Sequence, residues 1–411
     1  MRDLRSRLSP FIQTLKNRNL SILLITWVLF SLTRPLFYQF ESDYVNRLGA
    51  SPEIIGLMGS SVVLVSMLIQ IPGGYLADKR GRKNLIVWGT FLLAFPNFVK
   101  ALTGSWRVYF LASILATLIN SLYSPALHAL FQDSLPKDAR GFSSSLIDGI
   151  SWVIPSVFSL FFGGYLYERY GLHGLKMSLF LISISYLVSG VLRCALTETL
   201  VKSEVNKPDI YPFREFFSSL KRVFEWAYRS IGYLLMIEAL FGIIRGLVGS
   251  FWVLYALRVI GIKKIEYGAL QAIYNIVYFP LSLYGGRLSD KRGRIRQMRY
   301  VPLLWAVSNL IFIKATGFSM ILLSYLISLL GEAFWWPALD ALWIDVVPRS
   351  KRARISSVRS IVFGISSSIA SAMGGLLYAR SPAYPFFFVV VVDLLFTPVM
   401  LVIREPKERE E

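Results

Sequence analysis

Charge is what this chain has least of. Only 17% of its 411 residues are charged, against about 25% in an ordinary soluble domain. A soluble chain of this size could not cover its surface with so few charges, which argues against a soluble enzyme and a disordered protein. Cysteine is nearly absent: Cys194 stands alone, so no intramolecular disulfide can form. Histidine is scarce too, and His128 and His173 are too far apart in sequence to suggest a Cys/His metal site. No G-x-x-x-x-G-K-[ST] phosphate loop occurs, so no ATP-binding site of that type is expected. No Ser/His/Asp set or paired-carboxylate site is visible, no cofactor is implied, and the chain is not read as an enzyme.

Apolar residues make up 55% of the chain and fall in blocks of about twenty, the length that crosses a bilayer core of roughly 30 Å. Twelve blocks are read at 20–42, 54–77, 84–103, 107–132, 142–166, 174–196, 231–256, 266–288, 297–315, 318–346, 354–379 and 383–403. The first is a membrane helix and not a cleavable leader, because no small-residue cleavage pattern closes it early. A backbone in lipid must satisfy its own hydrogen bonds, so an all-α membrane protein of twelve helices is expected.

Lys and Arg total 44 against 25 Asp and Glu. On a soluble protein that excess would suggest nucleic acid; here it sits in short loops on one side. Twenty-nine of the 44 fall with the N-terminus, the C-terminus and the loops near 78–83, 133–141, 197–230, 289–296 and 347–353; ten fall opposite and five within spans. This asymmetry places both termini in the cytoplasm and the chain in the cell membrane. Residues 197–230 form a cytoplasmic linker between six-helix bundles at 1–196 and 231–411. Phe213, Phe216, Phe217, Leu220 and Phe224 lie at helical spacing in it, so residues 212–228 are read as a surface amphipathic helix.

The strongest signal is an internal repeat. Gly73-Gly74-Tyr75-Leu76-Ala77-Asp78-Lys79-Arg80-Gly81-Arg82 returns 212 residues later as Gly285-Gly286-Arg287-Leu288-Ser289-Asp290-Lys291-Arg292-Gly293-Arg294. At the same shift Pro125, Asp133 and Arg140 meet Pro337, Asp345 and Arg352. Near a shift of 211, Arg34 meets Arg245 and Gly163-Gly164 meets Gly374-Gly375.

The loops after spans two and eight resemble the signature of the major facilitator superfamily, G-x-L-a-D-r-x-G-r-k, once in each half. The resemblance covers nearly the whole chain and implies a secondary transporter of two homologous six-helix bundles, which exposes a midplane substrate site to each side in turn. Gly74, Asp78, Arg82, Gly286, Asp290 and Arg294 are then gating positions. Asp78 can pair with a neighbouring Arg or meet the positive N-terminus of span eleven near Ser356 and Ser357. By symmetry Asp290 faces the start of span five at Ser143, Ser144 and Ser145.

Arg34 and Arg245 fall near mid-span, where a cation costs about 2.5–3.5 kcal/mol on insertion scales and turns to a cavity or a partner. Arg34, Tyr38 and Glu41 share a helix face, as do Glu238, Gly242, Arg245, Gly249 and Trp252. Glu332 in span ten lies at about the depth of Arg245, and its repeat-mate is Asn120. An Arg245–Glu332 pair is therefore expected, with Arg34 left as the freer cation and Glu332 as the proton carrier. Asp148, Asp340 and Asp393 are read as weaker, structural acids. Phe37, Tyr38, Tyr123, Trp252, Tyr274, Tyr278, Trp335 and Trp336 would suit a partly apolar organic solute, although at least half of them must serve packing or face lipid. Span four lacks the Arg of many proton-driven exporters, and span five has Pro155 and Gly163-Gly164 but no Gly-Pro pair. The expectation is a monomeric, proton-coupled exporter of small amphiphiles, working with protons or a counter-solute in the lipid bilayer and binding no nucleic acid. The alternative is an organic-anion or organic-phosphate carrier built on Arg34 and Arg245.

Overall fold

The computed structural model describes residues 16–136, 147, 149–200, 213–348, 352–403 and 405; at 71, 78, 80, 213–223 and 352–354 it describes the backbone alone. Every regular element among the described residues is helical. Ten helices there are long and apolar enough to cross a membrane. Two of the twelve blocks fall short of that standard. Lys264–Arg292 is diluted by Gln271, Asn275 and four tyrosines, and Val301–Ile313 has only 13 residues.

The helix bounds carry the repeat. The third and tenth helices, α3 (Pro52–Arg80) and α10 (Lys264–Arg292), are both 29 residues long and differ by 212 at each end. So do α5 (Trp106–Ser134) and α13 (Phe318–Val346), each with an internal proline, Pro125 and Pro337. Between these pairs stand α4 (Arg82–Leu102) in one half and α11 (Arg294–Met298) with α12 (Val301–Ile313) in the other. Gly81 and Gly293 make the sharp reversals before them at φ +84° and +93°. Only glycine takes that backbone region without steric cost.

Two expected spans end early. The first helix, α1 (Arg18–Tyr38), stops before a turn, and α2 (Glu41–Arg47) follows. The seventh span belongs to a long helix, α8 (Phe213–Val248), which starts in the linker and kinks at Ile231. It breaks at Gly249, whose N–H still reaches the Arg245 carbonyl at 2.8 Å. A one-turn helix, α9 (Trp252–Leu254), and a π-helical turn, Tyr255–Ile260, complete the block. The first half closes with the π-helical turn Gly149–Val153, α6 (Ile154–Tyr170) and α7 (Leu172–Arg193). The second closes with α14 (Arg352–Arg380) and α15 (Tyr384–Val402).

By contacts the chain divides into two compact units, residues 1–49 with 65–208, and 50–64 with 209–411. The sequence division at 197–230 does not anticipate that the start of α3 joins the second unit. Small residues explain it. A Cβ on Gly56 would lie 2.5 Å from the Ser371 carbonyl, and Ser60 and Ser368 hydroxyls meet at 2.7 Å. Such glycine and serine seams let helix backbones approach closely in a membrane.

The glycine pairs of the repeated motif act the same way within each unit. A Cβ on Gly73 would sit 2.7 Å from the Ser121 and Leu122 carbonyls, and one on Gly285 would sit 2.2 Å from the Ala333 carbonyl. The tight contact falls on the first glycine of each pair. Gly74 and Gly286 have ordinary contacts with Pro125 and Pro337.

Candidate functional site

In the second unit, Arg245 and Gly249 of α8, Trp252 of α9, Tyr267, Gln271 and Tyr274 of α10, and Tyr325, Ser328 and Glu332 of α13 line one cavity of about 290 Å³. That is near the lower end of the ligand-pocket range. The break at Gly249 lets Arg245 and Trp252 reach the same space although they belong to different helices. The wall is aromatic: Trp252 packs on Phe312, Tyr325 and Phe386 at 4.2, 5.5 and 5.3 Å between ring centroids. Tyr274 and Tyr278 stack at 6.0 Å.

The expected Arg245–Glu332 ion pair does not form. The Tyr274 hydroxyl donates to the Glu332 carboxylate instead, and no ion pair within 4.0 Å joins Glu332 to Arg245 among the described residues. Arg245 is exposed and lines the cavity, and no hydrogen bond or ion pair of its guanidinium is found among the described residues. Removing Glu332 therefore strands no buried partner, and the large stability loss expected for a buried pair does not apply.

Glu238, on the same helix as Arg245, is not among the residues lining that cavity. It is 3% exposed, and it accepts hydrogen bonds from Arg359 of α14 and from Trp343 Nε1 at 3.1 Å. Arg359 also donates to Asp340 at 3.0 Å. Asp340 is not the buried acid the sequence suggested; its side chain is 60% exposed. Gly242 packs beneath Phe363, where a Cβ would come within 2.8 Å of its carbonyl. Replacing Arg359 by Leu should cost about 3–5 kcal/mol, because it leaves Glu238 charged and buried. Asp340→Asn, at an exposed pair, should cost at most about 1 kcal/mol. Denaturation of the two variants in detergent measures the difference.

In the first unit, Arg34 lies over the Tyr38 ring at 5.3 Å. Tyr38 donates to Asn97 Oδ1 at 3.3 Å, and Tyr109 donates to Glu41 at 2.6 Å. Lys100 of α4 completes this cluster at 3% exposure, 4.9 Å from the Tyr109 centroid and 5.9 Å from that of Tyr38. Sequence reasoning missed Lys100, because a cation three residues from the end of a block reads as a rim charge. Its spacing from Asn97 on one helix face was the available signal. Arg193 was missed too. It is fully buried, donates to Thr90 at 2.7 Å and to Thr26 at 3.3 Å, and lies over Phe30. Asn120 is exposed and lies outside the aromatic cavity. Phe37 and Trp335 are packing residues, each 0% exposed. Asp393 is fully buried and accepts from Asn309 at 3.3 Å, a structural setting.

The repeated loops are locked within their own units. Arg82 pairs with Asp133 and donates to Thr199 at 3.1 Å; Arg294 pairs with Asp290 and donates to Asp345 at 3.2 Å. Behind each loop a glutamate caps the next helix. Glu198 accepts from the Lys83 N–H at 2.9 Å, and Glu405 accepts from the Ile295 N–H at 2.9 Å and the Arg296 N–H at 3.3 Å. A carboxylate there meets the positive end of the helix dipole. Asp290 thus finds its cation four residues on in its own loop. The Asp78 side chain, Asp148, Ser143, Ser144 and Ser145 lie outside the described residues.

Comparison with known proteins follows this geometry. The model of the Major Facilitator Superfamily matches residues 19–243 and again 234–411. The chain is 26% identical over 153 residues to the Quinolone resistance protein NorA of Staphylococcus aureus, a match over 37% of this chain and 39% of that protein. The chain thus matches about two-fifths of that relative's length. An uncharacterized MFS-type transporter of Methanocaldococcus jannaschii is 23% identical over 368 residues, 86% of this chain and 90% of that one. Among solved structures, a bacterial homolog of the human lysosomal transporter Spinster, inward-facing and occupied, superposes with TM-score 0.71. Its identity is 15%, covering 93% of this chain and 95% of that one. A POT family transporter in complex with 5-aminolevulinic acid also gives 0.71, at 13% identity over 94% and 96% of the two chains. At these identities the likeness is one of fold.

Proposed function

The chain belongs to the Major Facilitator Superfamily, and from that premise we propose that it is a secondary transporter that exports small amphiphilic organic molecules from the cell in exchange for protons. The observation that carries the reading is the cavity of the second unit, where an aromatic wall, a guanidinium without an ion pair among the described residues and a hydrogen-bonded carboxylate face one space. Aromatic rings offer area to the apolar part of a solute, and the two charged groups orient its polar part. Glu332 is the proton carrier in this reading, because it is the one acid among the residues lining that cavity. Arg34, Tyr38, Asn120, Arg245 and Trp252 take the solute along its path, and Glu238 steadies the helix that holds Arg245. The motif residues Gly74, Asp78, Arg82, Gly286, Asp290 and Arg294 hold and release the cytoplasmic side. Similarity to a quinolone resistance protein over part of the chain supports outward transport. In this reading the protein works as a monomer in the cell membrane, and the loop charges support an orientation with both termini cytoplasmic.

A second reading, transport of organic anions, draws support from Arg34 and Arg245, for which no ion pair is found among the described residues. Purified protein in proteoliposomes tests both. A panel of neutral, cationic and anionic aromatic solutes is offered under an imposed pH gradient. Saturable movement that follows the gradient supports the main reading, and movement confined to anions supports the second. No gradient-driven movement of any solute rejects both.

A further inference from the structure

We propose that the first unit contains an anion-binding subsite formed by Lys100 of α4 and Arg34 of α1, both beside the Tyr38 ring, and that it takes the carboxylate or sulfonate of an organic monoanion.

Two cations of the first unit have donors without acceptors among the described residues. Lys100 is 3% exposed. Among the described residues its ammonium lies near two ring faces, Tyr109 at 4.9 Å and Tyr38 at 5.9 Å, and makes no hydrogen bond or ion pair. The hydroxyls of those same rings are turned to other partners, Tyr109 to Glu41 and Tyr38 to Asn97. Arg34 repeats the pattern, with its guanidinium over Tyr38 at 5.3 Å. Neither cation has a hydrogen-bond acceptor or an ion pair among the described residues. A lysine brings three N–H donors and an arginine five, and leaving charged donors without acceptors in a dry interior is costly. Ring faces offset part of that cost. They supply no lone pair directed at an N–H, whereas an oxyanion does.

Charge sharpens the assignment. The cluster holds two cations and one carboxylate, Glu41, which is engaged by Tyr109. The formal surplus is a single positive charge, which one monoanionic group balances. The cavity of the second unit has no such surplus, since Arg245 and Glu332 offset each other. Arg193, the other fully buried cation of the first unit, is a useful contrast. It donates to the Thr26 and Thr90 hydroxyls and has no donors to spare in the same degree. The aromatic faces of Tyr38 and Tyr109 give the subsite an apolar border, which favours an organic anion over a small hydrated one.

The subsite rests on the transporter reading only in that its guest would be a transported solute; binding itself needs no transport. The test is thermal stability of the full chain in detergent, with benzoate as the anionic probe and benzamide as its neutral counterpart. Wild-type protein should gain stability saturably with benzoate and not with benzamide. Lys100→Met should lose at least tenfold in benzoate affinity, Arg34→Gln should lose a similar factor, and Lys100→Arg should retain binding. Equal response of the wild type to both probes overturns the proposal without recourse to any variant. So does a lack of response to benzoate, as a neutral Lys100 amine would give, or unchanged benzoate affinity in Lys100→Met. Gradient-driven transport of neutral solutes in a protein that ignores benzoate would reject the subsite and leave the transporter reading standing. Benzoate binding without any gradient-driven transport would do the reverse.

Discussion

A disulfide between Ser60→Cys and Ser368→Cys, made in a Cys194→Ser background, should arrest transport at least tenfold, and a reductant should restore it. The two hydroxyls meet at 2.7 Å, so the two side chains already face each other, as a disulfide requires. Cys194 is the one native thiol and is exposed, so its removal leaves a clean background. The reason to expect arrest is the nature of the contact. Residues 50–64 meet α14 through Gly56, Gly59, Ser60, Ser368, Ser371 and Gly375, small residues joined by hydrogen bonds of the serine hydroxyls. A seam of this kind seals tightly by backbone approach yet parts without tearing large side chains from each other. Alternating access needs a contact with both properties. Unchanged transport in fully crosslinked protein would show that this seam stays closed throughout the cycle.

Glu332→Gln should leave the protein folded and abolish the response to a pH gradient. The Tyr274 hydroxyl donates to the native carboxylate, and an amide oxygen at the same place can accept that bond. Arg245 makes no ion pair with Glu332, so its removal costs little stability, on the order of 1 kcal/mol for one altered hydrogen bond. Gradient-driven accumulation should fall at least tenfold, while exchange of labelled for unlabelled solute across the membrane continues. A folded Glu332→Gln protein with normal pH dependence would move the coupling role to another acid. Glu41 would then be the next to examine, since Tyr109 holds it as Tyr274 holds Glu332.

Much of this architecture is legible in one dimension. The repeat of 212 residues foretells two matched sets of helices, because homologous segments fold alike, and the helix bounds keep that offset to the residue. Arg245, Trp252 and Glu332 could be nominated as interior because a charge or an indole in an apolar block must find a reason to be there. Their meeting in one cavity depends on the break at Gly249, and helical spacing alone runs straight through it. Pairings across three helices stayed hidden for the same reason. Glu238, Arg359 and Asp340 come from α8, α14 and α13, and periodicity within one helix cannot rank partners on others. The capping glutamates were hidden differently. Glu198 and Glu405 lie in stretches that look like tails, and only the fold returns them to the helix starts after Gly81 and Gly293. Lys100 shows the limit of counting loop charges: a cation near a block end was credited to the membrane rim, while tyrosines from neighbouring helices enclose it.

Under the proposed function this chain moves amphiphiles against protons as a carrier. Proteoliposomes loaded with a fluorescent amphiphile and a pH-sensitive dye measure it most directly, because solute and proton fluxes are recorded together. The account predicts saturable solute movement, a proton flux in the opposite direction at a fixed ratio, and reversal of both when the gradient is reversed. Solute movement that neither saturates nor shifts protons, at the same rate whichever way the gradient points, would contradict it.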